Sequence, residues 1–244
     1  MTNNYDNFSQ VVDDLVQLNN AIISIRIRIE SELGVNYHSQ DARHVALDMI
    51  QRDIVACGNF INMMRSLRTL VEEKGGEAWE DLYKSLIGTE LSAYAAEDNM
   101  LNSIRFNLLL SIHFRIENLF MNIMRCFESG YNRRGFSRIS GDVFKIMETD
   151  NSGADQKTLT VLADLRNSLH NNGMHRNCSK EKVTVGGLEF SFEKDQHVEC
   201  ASWKHILVML GAIVRILESI LLSQPVRELT EIVDDFSSGA GRSS

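Results

Sequence analysis

One short polar stretch carries the chemistry this sequence can offer. Arg166, Asn167, His170 and Asn171 sit within Leu165-Arg166-Asn167-Ser168-Leu169-His170-Asn171-Asn172-Gly173. Arg166 lies four residues before His170, and Asn167 four before Asn171. On a helix, side chains at that spacing leave one face about one turn apart. Arginine presents a planar fork of donors that fits a phosphate. Histidine moves protons near neutral pH. Together they suit metal-independent RNA cleavage, in which a 2′-hydroxyl attacks the adjacent phosphorus. A base takes the hydroxyl proton and a cation stabilises the phosphorane charge. A neighbouring arginine also favours the neutral imidazole that a base requires.

The same residues have a structural reading. Arg166 pairs with an acid on a neighbouring helix, Glu117 being the candidate. His170 and Asn171 then finish a helix end, where cations and polar side chains are favoured. Local charge bears on the choice. His175, Arg176, Lys180 and Lys182 follow the motif, and Arg133, Arg134 and Arg138 fall in Tyr131–Ser140, a segment without an acid. If the two loops converge, they make a basic rim suited to a nucleic-acid backbone. Arg133, Arg134, Arg138, His175 and Arg176 are its candidate RNA-binding residues. Solvated loop charge explains them equally well. Tyr131 and Phe136 are candidates for stacking bases or for pinning the loop.

The helix that would position Arg166 begins near Ala154 or Asp155. Leu159, Leu162, Leu165 and Leu169 form its apolar stripe, and Asn172-Gly173 stops it. Upstream, Val11, Leu15, Leu18, Ile22, Ile25 and Ile29 mark a first helix from about Asn7 to Leu33. Ser39 is the candidate N-cap of a second, reaching about Lys74. A weaker helical stretch covers Glu77 to about Glu97. A strong helix follows from Asp98 to about Glu128, closed by Gly130. A short helix is expected near Asp142–Glu148. Downstream, Lys182-Val-Thr-Val, Gly186-Gly187 and Leu188–Glu193 read as a β-hairpin, because Gly-Gly suits a two-residue turn. Ser202 caps a last long helix to about Ser223.

The fold class expected is all-α: a long-helix bundle with a small β-hairpin before the last long helix. Three regions follow: an N-terminal helical region over 1–97, a helical domain with the hairpin over 98–224, and a short helix with a flexible tail over 225–244.

The chain has 244 residues and one proline, so long uninterrupted helices are available to it. Its net charge of −8 argues against a general duplex-coating basic surface but leaves room for a local basic site. Cys57, Cys126, Cys178 and Cys200 show neither CxxC spacing nor histidine neighbours in a zinc pattern. Reduced thiols are expected, Cys57 and Cys126 as small core residues. No metal or other cofactor is expected. The most apolar run, Ile206 to Leu222, is broken by Arg215 and Glu218, so no membrane association is expected. The N-terminus lacks the features of a signal peptide, making the cytoplasm the expected location.

The Leu165–Gly173 stretch resembles the signature of HEPN domains, helical domains of toxins, phage-defence systems and related RNA-processing proteins. That signature is an arginine, usually followed by a polar residue such as asparagine, then a histidine after four to six intervening residues. The order of elements from about Asp98 to Ser223 is similar as well. Here only Ser168 and Leu169 follow Asn167 before His170, one residue short of that spacing, which alters where the ring points. The resemblance implies a metal-independent ribonuclease acting on RNA. Arg166 would bind the scissile phosphate, His170 would serve as general acid or base, and Asn167 would orient one of them. It also implies a homodimer, with a protein partner such as an antitoxin. The rival expectation is a catalytically silent helical interaction or regulatory module. In that case the same residues form a closed polar network that fixes helix register.

Overall fold

The computed structural model describes residues 8–33, 40–73, 81, 84–85, 93–147, 152–171, 173–176 and 181–234. Its elements in order are α1 (Phe8–Leu33), α2 (Ala42–Glu72), α3 (Ala93–Phe127), α4 (Phe136–Met147) and α5 (Ser152–His170). They are followed by β1 (Glu181–Val185), β2 (Leu188–Phe192), α6 (Trp203–Leu221) and α7 (Gln224–Arg227). The class is all-α with one small antiparallel hairpin, as the sequence pattern predicts. Among the described residues no helix is long and apolar enough to cross a membrane.

Helical periodicity explains what packs. The α1 residues Leu15, Leu18, Ile22, Ile25 and Ile29 are all buried, forming one face that lies against α2 and α6. α2 in turn packs on α3, and α3 on α4 and α5. α6 is apolar around most of its circumference, with residues from Ile206 to Leu221 buried. Each such side chain contributes about 1.5–3 kcal/mol through removal from water. A continuous hydrophobic cluster runs from Leu15 to Ile232. Arg28 of α1 also pairs with Glu218 of α6.

Element starts differ from the sequence expectation in ways that local chemistry explains. Ser39 lies outside the described residues. The side chain that caps α2 is Asp41: its Oδ1 accepts from Arg43 N–H at 2.8 Å, and its carbonyl accepts from Val45 N–H at 2.9 Å. α3 begins at Ala93, ahead of Asp98. α4 begins at Phe136 rather than near Asp142. Gly135 turns the chain at φ +95, and its carbonyl accepts from Arg138 and Ile139 N–H at 3.0 and 3.2 Å. Phe136, Ile139, Val143, Phe144 and Met147 then form a buried face. Arg138 therefore stands on a helix and not in a loop.

The hairpin is as expected. Val185 pairs with Leu188 across Gly186 and Gly187, whose φ values are +55 and +82. Positive φ at both turn positions favours glycine. At Gly186 a Cβ would also collide with Val208. Ser202 caps α6, its Oγ accepting from His205 N–H at 3.4 Å. Beyond α7, the chain lies against α2. Ala42 N–H donates to Ile232 carbonyl at 2.7 Å, and Ile232 N–H donates to Asp41 Oδ2 at 3.2 Å. Asp234 is buried and accepts from Asn118 and Asn122.

Candidate functional site

α5 carries Arg166, Asn167 and His170 in its last two turns. Gly173, at φ +81, reverses the chain there, and its N–H reaches the Ser168 carbonyl at 2.8 Å. Asn171 Nδ2 folds back to the Asn167 carbonyl at 2.9 Å. Arg166 is half-buried, and its Nη1 donates to Asn167 Oδ1 at 2.9 Å. Its guanidinium lies 5.5 Å from the centre of the Phe114 ring. Its Nε is buried without a hydrogen-bond partner. His170 is exposed at the helix end.

The face opposite Arg166 belongs to α3, where the helical turn His113–Glu117 brings His113, Phe114 and Glu117 into play. His113 is buried, its ring 4.5 Å from Phe136 and 5.8 Å from Phe114. Burial, then the charges of Arg166 and His170, push its pKa down to about 4. The imidazole is therefore neutral at pH 7. Its Nδ1 stands 3.9 Å from Glu117 Oε2, a contact that is neither a hydrogen bond nor, with a neutral ring, an ion pair. Burial raises the Glu117 pKa above its ordinary value, and the charge of Arg166 opposes that only in part. Among the described residues Arg166 makes no ion pair with Glu117, so the purely structural pairing expected for it is not formed.

Glu117 and Phe114 also line a cleft of about 790 Å³. Its walls come from α2, α3, α4 and the loop before α4, with Arg133 and Arg134 at that loop. Phe114 is an exposed aromatic at 48%. Arg133 is not free: its Nη1 donates to Asp142 Oδ2 at 2.9 Å. Lys145 Nζ and Tyr131 Oη hold the same carboxylate at 3.0 and 2.9 Å. Burial alone would raise the Asp142 pKa, but the bonds from Lys145 and Tyr131 and the charge of Arg133 outweigh it.

The basic residues expected to form one rim are dispersed. Arg133 and Arg134 face the cleft. Arg138 lines a second groove with Gln156 of α5, and Arg133 lies between the two, lining both. His175 is 1% exposed, with Nδ1 3.3 Å from Ser168 Oγ and its ring 5.2 Å from Phe192. It is part of the packing between α5 and the hairpin, not a surface contact. Ser168 Oγ also donates to the Asp164 carbonyl at 2.7 Å. Arg176 is exposed and paired with Asp195 at 2.8 Å. Lys180 lies outside the described residues. Tyr131 and Phe136 are buried anchors, Phe136 stacking 6.1 Å from Phe120. Phe114 is the aromatic that reaches the cleft. Cys126 is exposed rather than a core residue, whereas Cys57 and Cys200 are buried thiols.

Sequence reasoning missed His113 and Phe114. Their signal was present as polar and aromatic residues set between Ile112 and Ile116, which are buried. A larger groove, about 1110 Å³, lies between the start of α5, β1 and α6. Arg166, Asn167 and His170 line neither this groove nor the cleft of about 790 Å³; Arg166 adjoins the cleft through the Phe114 ring. Among the described residues no group of three His, Cys, Asp or Glu side chains converges on a cation position. Comparison with protein-family models, curated proteins and solved structures returned no match.

Proposed function

We propose that this protein is a HEPN-like endoribonuclease that cleaves RNA without a metal ion, of the kind found in toxin and phage-defence systems. The observation that carries this reading is the state of Arg166. It is a half-open cation with no acidic partner among the described residues, one helical turn from an exposed histidine. A closed structural network would pair such a charge. Here Arg166 is available to a phosphorane. Asn167, bonded to Nη1, orients the guanidinium. His170 acts as general acid or base. Arg134 and the exposed ring of Phe114 give the strand a charged and a stacking contact beside the cluster. A homodimer and a protein partner such as an antitoxin belong to the same proposal, by the HEPN resemblance alone.

The silent interaction module keeps one point in its favour, because the bond from Arg166 to Asn167 engages a donor inside a single helix. Cleavage of a single-stranded oligoribonucleotide in EDTA decides between the two. Wild type should yield 2′,3′-cyclic phosphate ends, and Arg166→Ala and His170→Ala should each lower the rate by roughly a hundredfold or more. Equal rates in all three preparations would assign the activity to contamination and sink the reading.

A further inference from the structure

Resting on the ribonuclease reading, we propose that Glu117 is the general base of the site, with His170 the general acid. In the step so defined, the RNA 2′-oxygen forms a bond to phosphorus while its proton passes to the Glu117 carboxylate. The bond from phosphorus to the 5′-oxygen breaks, and His170 in its protonated form gives that oxygen a proton. Arg166 faces the charge on the phosphorane oxygens. The products are a 2′,3′-cyclic phosphate and a 5′-hydroxyl, and no other reactant is needed.

Placement and freedom single out Glu117. Its carboxylate lines the open cleft and is 29% exposed. Among the described residues it makes no hydrogen bond and no ion pair, and the one titratable group within 4.0 Å of it is the neutral ring of His113 at 3.9 Å. A base must have such an uncommitted lone pair within reach of solvent-borne substrate. The other acids nearby are committed. Asp48 holds Arg52 at 2.8 Å, Asp142 holds Arg133 and Lys145, and Asp234 is buried between asparagines. His113 is 3% exposed, so it does not meet the strand.

The groups facing Glu117 also favour the role. His113 of its own helix is beside it and the charge of Arg166 reaches it from α5, while the cleft that it lines also carries Arg115 of α3, His44, Asp48 and Arg52 of α2, Arg133 and Arg134 of the loop, and Asp234. Burial raises the Glu117 carboxyl despite Arg166, bringing its basicity closer to what proton abstraction near neutral pH requires. The division of labour also bears on the short spacing from Arg166 to His170. With the base supplied from α3, the histidine needs to reach only the leaving oxygen.

The test is the pH dependence of kcat/KM between pH 4.5 and 8.5 on a short single-stranded oligoribonucleotide in EDTA. Wild type, Glu117→Gln, Glu117→Asp and Arg166→Ala are compared, with thermal unfolding of each. Wild type should give a bell. Glu117→Gln should fall by roughly a hundredfold at pH 7, lose the acid limb and keep its Tm. Glu117→Asp should recover part of the rate with the acid limb moved to lower pH. A Glu117→Gln profile of wild-type height, or a lowered one of unchanged shape, would overturn Glu117 as base and leave the ribonuclease reading standing. If Glu117→Gln does not fold, an unmoved acid limb in Glu117→Asp overturns it instead. Wild-type cleavage no greater than that of Arg166→Ala would overturn both.

Discussion

Arg43 and Arg166 stand on long helices of the same molecule and are held in opposite ways. Arg43 is 1% exposed, and each of its three guanidine nitrogens has an acceptor. Nε and Nη2 donate to Asp41 at 2.9 and 2.7 Å, and Nη1 donates to the carbonyls of Val226 and Leu229 at 3.3 and 3.2 Å. Arg166 has one neutral acceptor, one aromatic face and a buried Nε with no partner. The first arginine clamps the C-terminal segment to α2. The second retains unused donor capacity beside a cleft. A buried charge that is fully met fixes geometry, and one that is partly met leaves room for a ligand.

The clamp should break hardest. Arg43→Ala leaves the Asp41 carboxylate, itself buried, without its cation. Removing one partner of a buried pair costs about 3–5 kcal/mol. Urea unfolding followed by circular dichroism at pH 7 should show that loss as a lower midpoint. An unchanged midpoint would mean that the clamp adds nothing and that Arg43 and Arg166 do not differ in this respect.

Acid should act next, through His113 at the Arg166 end of the comparison. A histidine with a folded pKa of about 4, below its ordinary 6.5, binds a proton more readily in the unfolded chain. Stability is therefore complete above pH 6.5 and drains as pH falls toward 4, by about 3 kcal/mol. His44 and His205, also lowered by burial, act in the same direction. Glu117, raised by burial, acts the other way, since its folded form holds the proton more tightly. Unfolding measured at pH 7, 5.5 and 4.5 should show a shallower loss in His113→Leu than in wild type. Parallel curves would show that His113 is not the group being charged.

What the sequence conveys divides along the same line. The α1 stripe, the Gly186-Gly187 turn and the α6 cap at Ser202 were legible because each rests on residues close in the chain. Arg166 and His170 were legible as neighbours for the same reason. Helix starts were less so: α4 begins at Phe136 because its aromatic face packs on α3, which no local cap announces. The dispersion of the basic residues also escaped local reading. His175 looked like a loop cation, yet the bond near Ser168 and the ring of Phe192 draw it inside. Glu117 was legible as an acid near Arg166. That it would face the cleft unpaired depends on which side of α3 meets α5, a tertiary fact.

Arg166→Ala completes the contrast with the smallest stability effect. The substitution removes one hydrogen bond to Asn167, worth about 1 kcal/mol, and a cation–π contact worth about 0.5–1 kcal/mol. It also removes a buried Nε that has no acceptor, which offsets part of that loss. The net change in urea unfolding should stay within about 1 kcal/mol, well below that of Arg43→Ala, while RNA cleavage falls by roughly a hundredfold or more. Arg166→Lys adds a second reading of the same point. It keeps the charge but loses the planar fork, so it should retain stability and recover little of the rate. A loss of stability in Arg166→Ala as large as in Arg43→Ala would place both arginines in the same structural role. Arg166 would then hold α5 against α3, much as Arg43 holds the C-terminal segment against α2.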